Sequence, residues 1–308
     1  MEKSDIVITS AFRTAIGSLN GSLSSKTAPE LGSAVIKKCI ENSGLKKKEV
    51  DMVYMGQVLS AGVGQNPARQ ASILAGLSNE TTNTTVNQVC GSGLASIALA
   101  YNAIRCGDSN IIIAGGQESM SNAPHYIKLR KGEKINEDKI KDSMIIDGLW
   151  DVYNKYHMGM TAENVAKKFS IKREDQDKFA LHSQKKAVKA IKEKKFINEI
   201  VPVEINNNIY FEKDEHPREG TSIEKLSELK TVFKKDGTVT PGNSSGINDG
   251  AAAVCLMTFE NVKKKKIKPL AKIVSWAECG VDPSIMGTGP IPASKLALKK
   301  AGWDIKEL

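Results

Sequence analysis

Apolar residues in the first 120 positions follow two spacings in turn. Asp5 to Ser10, around Ile6-Val7-Ile8, is a continuous apolar stretch and predicts a strand. Thr27-Ala28-Pro29-Glu30-Leu31 opens a helix with proline in its first turn. Apolar residues at 31, 35, 36, 39 and 40 keep one helical face, and Gly44 closes it as a C-terminal glycine should. Asp51 to Met55 predicts a buried strand, and 69–77 a short helix closed by Gly76. Thr81 to Val89 is β-branched and extended, and a long helix runs from about Gly91 to Ile104, ending at Gly107. Ile111-Ile112-Ile113-Ala114, followed by Gly115-Gly116, suits a strand covered on both faces. Strands alternating with helices predict a layered α/β domain.

The pattern changes after about residue 119. Residues 120–245 are polar and lysine-rich, with helical stretches near 161–169 and 173–195. The α/β texture returns at 238–257, where a loop (Pro241 to Gly250) leads into the apolar strand Ala251 to Met257. The lysine run 263–266 reads as a linker, Lys268 to Ser275 as a new strand, and a last helix ends at Gly302. The expected organisation is a first half over 1–119 completed by 246–262, an inserted loop domain over 120–245, and the start of a second half over 268–308.

That second half rests on a faint repeat. Setting Ala34 to Val50 beside Pro292 to Leu308 aligns Gly44 with Gly302, Lys48 with Lys306 and Glu49 with Glu307. The offset is constant: 302 minus 44 gives 258. The identities are few, and chance similarity of two helix ends is the alternative, but the shared order of strand, loop, helix, glycine and charged turn favours a repeat. A true repeat would place the counterpart of Cys90 roughly forty residues past Leu308.

Composition narrows the class. A chain of 308 residues is long enough for two or three packed units. It is 40% hydrophobic but only 5% aromatic, so its cores must be aliphatic and alanine-rich. No run of 18 apolar residues predicts a membrane span, and the N-terminus lacks the pattern of a secretory signal. Five scattered cysteines (39, 90, 106, 255, 279) without a Cys-x-x-Cys pair predict neither a metal site nor a disulfide framework, and fit a reducing cytoplasm. The net charge of +9 is concentrated in lysine clusters at 46–48, 192–195 and 263–266. These read first as solvated surface and next as attraction for an anionic small molecule. Nucleic acid is the weakest reading, because no aromatic residues interleave the lysines.

Candidate chemistry centres on one cysteine. In Asn87-Gln88-Val89-Cys90-Gly91-Ser92-Gly93, Cys90 stands between a β-branched strand and a helix. A helix N-terminus can lower a thiol pKa below its ordinary value of about 8.5, and nearby N–H groups can hold an oxyanion. Gly91 and Gly93 leave room for a bulky thioester and allow a tight turn. A buried structural thiol is the bland alternative. Ser92 is a rival nucleophile but lacks the Gly-x-Ser-x-Gly elbow. Cys39, Cys106, Cys255 and Cys279 read as structural.

The motif around Cys90 resembles the acyl-enzyme signature of the thiolase family, and further segments resemble that family in order. They are Arg13-Thr14-Ala15-Ile16-Gly17, Gly56-Gln57-Val58-Leu59, Gln65 to Gln70, Gly115 to Ser121, Tyr156 to Asn164, Gly242 to Ala251, and Met286 to Pro290. The resemblance covers essentially the whole chain. It implies a thiolase-like five-layered α/β/α/β/α fold with an inserted loop domain and an incomplete second half. It implies condensation of two acetyl-CoA to acetoacetyl-CoA and CoA, and the reverse thiolysis, through an acyl group on Cys90. The coenzyme A thioester is then substrate, with no separate cofactor and no metal, and the protein a cytoplasmic homo-oligomer, dimer or tetramer. His157-Met158 after Tyr156 resembles the short-chain biosynthetic subgroup. By resemblance His157, Met158, Met286 and Leu149 line the acyl and pantetheine end, Ser245 bonds pantetheine, and Arg218 meets the nucleotide. Taken alone, His157 reads as a structural histidine and Arg218 as a surface charge. His125, His182 and His216 carry no such match.

The family also uses Asn-Glu-Ala-Phe, Gly-His-Pro and Cys-Gly-Gly-Gly motifs, and none occurs in these 308 residues. The sequence therefore reads as a C-terminally truncated member whose condensing activity alone is expected to be slight, since losing a base or acid typically costs orders of magnitude. Two other classes stay open: a ketoacyl synthase type of condensing enzyme, and a non-catalytic fragment that binds CoA or a partner subunit.

Overall fold

The computed structural model describes residues 1–130, 132 and 134–308. In chain order the first elements are β1 (Ile6–Thr14), β2 (Gly17–Ser18), α1 (Ala28–Asn42), β3 (Met52–Gly56), α2 (Pro67–Leu74), β4 (Thr82–Val86), α3 (Ser92–Cys106) and β5 (Ile111–Ser119). Two short hairpins follow, β6 (His125–Tyr126) with β7 (Lys141–Asp142) and β8 (Trp150–Asp151) with β9 (Tyr156–His157). Then come α4 (Met158–Lys168), α5 (Arg173–Lys192), β10 (Ile200–Val201), β11 (Val203–Asn206), β12 (Ile209–Phe211) and α6 (Ile223–Ser227). The last are β13 (Asn248–Thr258), α7 (Phe259–Lys265), β14 (Ala271–Lys272) and α8 (Pro290–Ala301).

These elements form two compact units. The first gathers Met1–Gly148, Asn198–Glu215 and Ile247–Ile273, and the second Leu149–Ile197, His216–Gly246 and Val274–Leu308. The units do not follow chain order.

The first unit is built on one mixed sheet in the order β10-β1-β13-β5-β3-β4, with β14 also pairing β1 and β2 pairing β13. β3 runs parallel to β4 and β5, while β13 runs antiparallel to β5 and β1. The apolar run of β5 explains why the sheet is covered twice. Successive side chains of a strand alternate faces. Ile111 and Ile113 pack with Leu31, Val35 and Ile36 of α1 and with Ala71 of α2. Ile112 and Ala114 pack on the opposite face with Ala100, Ala103 and Ile104 of α3. Ile112 and Ile113 are fully buried, each burial contributing about 1.5–3 kcal/mol.

Helix boundaries follow the expected chemistry. Thr27 and Glu30 form a reciprocal capping box at the start of α1, with Pro29 in the first turn. At its end Leu45 N donates to Ile40 O and Gly44 N to Glu41 O, with Gly44 at φ +62°. The lysine run 263–266 is not a linker. Thr258 caps α7 by accepting from Asn261 N, Val262 is buried, and Lys266 ends the helix in left-handed backbone. The strand expected over 268–275 shrinks to β14, with flanking bonds from Leu270 N to Ile8 O and Ile273 N to Ile6 O.

The second unit is mainly helical. Arg173 at the start of α5 bonds Asp177 and the carbonyls of Leu226 and Leu229, tying α5 to the end of α6. Asn243 donates to Asp177 and to Thr238 O, fixing the loop that follows.

Candidate active site

In the first unit, the edge strand β4 delivers the chain into a five-residue turn, 87–91, that ends at α3. The turn is wound tightly from within. Val89 N donates to Asn87 Oδ1 (3.0 Å), Gly91 N to Gln88 O (3.0 Å) and Ser92 N to Val89 O (3.1 Å). Ser92 Oγ accepts from Gln88 N at 2.8 Å and donates to Val89 O at 2.6 Å. Val89 adopts φ +48°, left-handed backbone that a β-branched residue almost never takes. Such strain costs about 1–3 kcal/mol and persists only where surroundings impose it. Gly91, by contrast, has ordinary right-handed angles. The sharp bend expected of the glycines therefore falls on Val89.

Strain and hydrogen bonding together separate the two candidate nucleophiles. Ser92 is buried, and its hydroxyl is committed inside the turn. Cys90 is an exposed free thiol two residues before the first residue of α3. It is the nucleophilic side chain of the turn that a substrate can reach.

The neighbouring motif segments hold this turn in place. A Cβ on Gly56, at the end of β3, would lie 2.7 Å from the carbonyl carbon and Cβ of Ser92 and 2.8 Å from Gly93 N. Glycine at 56 lets the start of α3 sit directly on the sheet. Beyond it, Glu118 accepts from Val58 N (2.8 Å) and Leu59 N (3.2 Å), and Gln117 Nε2 donates to Gln57 Oε1 (2.9 Å). Burial pushes the Glu118 carboxyl above its ordinary range. Asp249 accepts from both N and Oγ of Ser121, joining the Gly242-to-Ala251 segment to the one that follows β5.

The other six residues singled out from sequence all lie in the second unit. Leu149 ends a π-helical turn (Met144–Leu149) and is half-buried. His157 ends β9 and caps α4: its Nδ1 accepts from Gly159 N at 3.0 Å. Its ring stacks on Phe233, with centroids 4.7 Å apart and planes 18° from parallel. Burial holds the imidazole pKa below its ordinary value. Met158 is the first residue of α4. Met286 lies in a 3-10 segment (Pro283–Thr288) tied to α4 by Asn164 Nδ2, which donates both to Ser284 O and to Tyr156 Oη, each at 3.0 Å. His157, Met158 and the Met286 segment are thus brought together.

Arg218 and Ser245 stand elsewhere in that unit. Arg218 is exposed on the wall of a cavity of about 440 Å³ that Lys185 and Lys189 of α5 also line. Its main chain is pinned, with its N donating to Gln184 Oε1 and its carbonyl accepting from Thr221 Oγ1. Ser245 is exposed in the loop before β13. Phe233 carried no sequence signal, because it sits alone in a lysine-rich stretch.

Comparison with known proteins agrees across the chain. The family model described as "Thiolase, N-terminal domain" matches residues 6–260, and "Thiolase, C-terminal domain" matches 267–308. An acetyl-CoA acetyltransferase of Rhizobium meliloti is 52% identical over 311 residues, covering 100% of this chain and 79% of that protein. One from Cupriavidus necator is 53% identical over 309 residues, covering 99% of this chain and 79% of that protein. The crystal structure of the Bacillus anthracis acetyl-CoA acetyltransferase superposes with a TM-score of 0.95 at 40% identity, covering 99% of this chain and 78% of that one.

Proposed function

The chain belongs to the thiolase family, and we propose that it is an acetyl-CoA acetyltransferase in which Cys90 carries the acetyl group. The fold is the thiolase fold, mixed α/β around a central sheet. In the first half-reaction the Cys90 thiolate attacks the thioester carbonyl of acetyl-CoA. The carbon–sulfur bond to CoA breaks, CoA leaves as a thiol after taking up a proton, and acetyl-Cys90 remains. In the second, another acetyl-CoA gives up an α-proton, balancing the one taken up by CoA. Its carbanion attacks the acetyl carbonyl, the carbon–sulfur bond to Cys90 breaks, and acetoacetyl-CoA and the Cys90 thiolate result. Thiolysis is the reverse.

The observation that carries this reading is the exposed thiol of Cys90 on a strained turn in which the Ser92 hydroxyl is tied up internally. Backbone N–H groups at the start of α3 are suited to an oxyanion formed there. His157, Met158, Met286 and Leu149 serve the acyl and pantetheine end, Ser245 the pantetheine, and Arg218 the nucleotide, where a guanidinium matches phosphate. The thioester itself carries the acyl group, so no further cofactor enters. Five free thiols are at home in a reducing cytoplasm, and assembly as a homodimer or homotetramer belongs to the same proposal. Among the described residues no helix is long and apolar enough to cross a membrane.

Incubation with acetyl-CoA followed by peptide mass spectrometry tests the proposal. One acetyl group is expected on the peptide containing Cys90, with none in Cys90→Ala. Absence of the adduct, or its appearance on another cysteine, overturns it.

A further inference from the structure

We propose that Glu163 and Phe233 are positioning residues for His157, holding its imidazole as the neutral tautomer protonated at Nε2. The proposal rests on the reading above, in which His157 serves the acyl thioester, and assigns that contact to an uncharged Nε2–H donor.

The tautomer follows from the cap. Nδ1 accepts from Gly159 N at 3.0 Å, so its lone pair is used and the ring proton must sit on Nε2. Protonating Nδ1 would set two N–H groups against each other at the positive end of an eleven-residue helix. A neutral donor can bond a thioester carbonyl without placing a second charge beside it.

The ring orientation is imposed from the far side of a loop. Phe233 stacks on His157, and a Cβ on Gly159 would run into the Phe233 ring, so glycine is needed for the approach. Phe233 is held through its own backbone neighbours. Val232 N donates to Val239 O at 3.2 Å, and Gly237 N to Lys234 O at 3.1 Å. Val239 N in turn donates to Glu163 Oε1 at 2.8 Å. Thr238 gives the same carboxylate its N (2.7 Å to Oε1, 3.0 Å to Oε2) and its Oγ1 (3.0 Å to Oε2). Glu163 stands on α4, the helix His157 caps, and is only 6% exposed. Its carboxyl oxygens accept from the N–H and O–H groups of this loop. A buried carboxylate with several N–H and O–H donors is a strong, directional clamp. One helix thus holds both ends of the path, from Glu163 through Val239, Val232 and Phe233 back to His157.

Nitrogen-15 NMR of histidine-labelled full chain reads the claim without substrate. The His157 signals are identified by their loss in His157→Asn. Wild type should show an unprotonated Nδ1 and a protonated Nε2. In Glu163→Gln the new amide N–H faces the donors of Thr238 and Val239, and in Phe233→Leu the stack is gone. Both should move His157 toward a tautomer mixture, and both should slow acetylation of Cys90 about tenfold through misplacement. Phe233→Tyr, which keeps the stack, should restore the wild-type spectrum and rate. An unchanged His157 spectrum in both Glu163→Gln and Phe233→Leu overturns the proposal. A wild-type protein with the Nε2–H spectrum but no acetylation of Cys90 would instead overturn the functional reading, so the two failures are distinguishable.

Discussion

Glu118 shows how a single residue trades stability for placement. Its carboxylate holds Val58 N and Leu59 N at the site's edge, yet burial raises its pKa above the ordinary 4.5. The folded state therefore takes up the proton before the unfolded one as pH falls. The ionised group weighs on stability near neutrality, and that burden lifts as pH drops through the raised value toward 4.5. Urea midpoints of wild type and Glu118→Gln, compared from neutral pH downward, should shift in favour of wild type over that window. A gap independent of pH would show that Glu118 is not desolvated in this way. Residue-scale chemistry was only partly legible in the sequence. Cys90 stood out because it stands at a strand-to-helix junction within Asn87 to Gly93, the motif that resembles the thiolase acyl-enzyme signature. The bend at Val89 did not, because its left-handed angle is held by the bond its N donates to Asn87 and the one its carbonyl accepts from Ser92, and it runs against the β-branched preference.

Between elements, the contact that matters most for the site is β3 against the start of α3. A methyl group at position 56 would meet backbone and Cβ atoms of Ser92, none of which can turn aside. Gly56→Ala should therefore cost about 1–3 kcal/mol through overpacking. It should also slow acetylation of Cys90 roughly tenfold or more by displacing the turn. Denaturation and acetylation rates check both parts, and a variant unchanged in both would refute the packing. Long elements were plain: α1 from its helical spacing with capping and glycine signals at its ends, α3 from a long stretch closed by Gly107, and β5 from its continuous apolar run. α7 was missed because seven residues carry too little periodicity, and its lysines outweighed the Thr258 cap and the single buried Val262. β14 was overextended because apolar residues from Ile273 onward do not join the ladder as a strand.

At the scale of the whole chain, local geometry repeats at the offset of 258 residues seen in the sequence. Leu45 N donates to Ile40 O as Trp303 N does to Leu298 O, and Gly44 and Gly302 both take positive φ. The 3-10 turn Lys47–Glu49 returns as Ile305–Glu307, each with a glutamate whose carboxylate accepts from the backbone N–H of the residue before the turn. The few identities include Gly44 with Gly302 and Glu49 with Glu307, because a helix end of this shape needs little beyond its glycine and the glutamate that closes the next turn. The two segments differ in burial. α1 buries eight residues, whereas α8 buries none, leaving Ile291 52% and Leu296 36% exposed. An isolated helix of twelve residues is marginal in water without tertiary packing. Native-state hydrogen exchange on the 308-residue chain should therefore grade the molecule. Amides of β5 and β13, at the centre of the sheet, should exchange only on global unfolding. Amides of α8 should exchange through local opening, roughly a hundredfold faster or more. Equal protection of α8 and β5 would mean that α8 draws stability from packing its exposed side chains do not show.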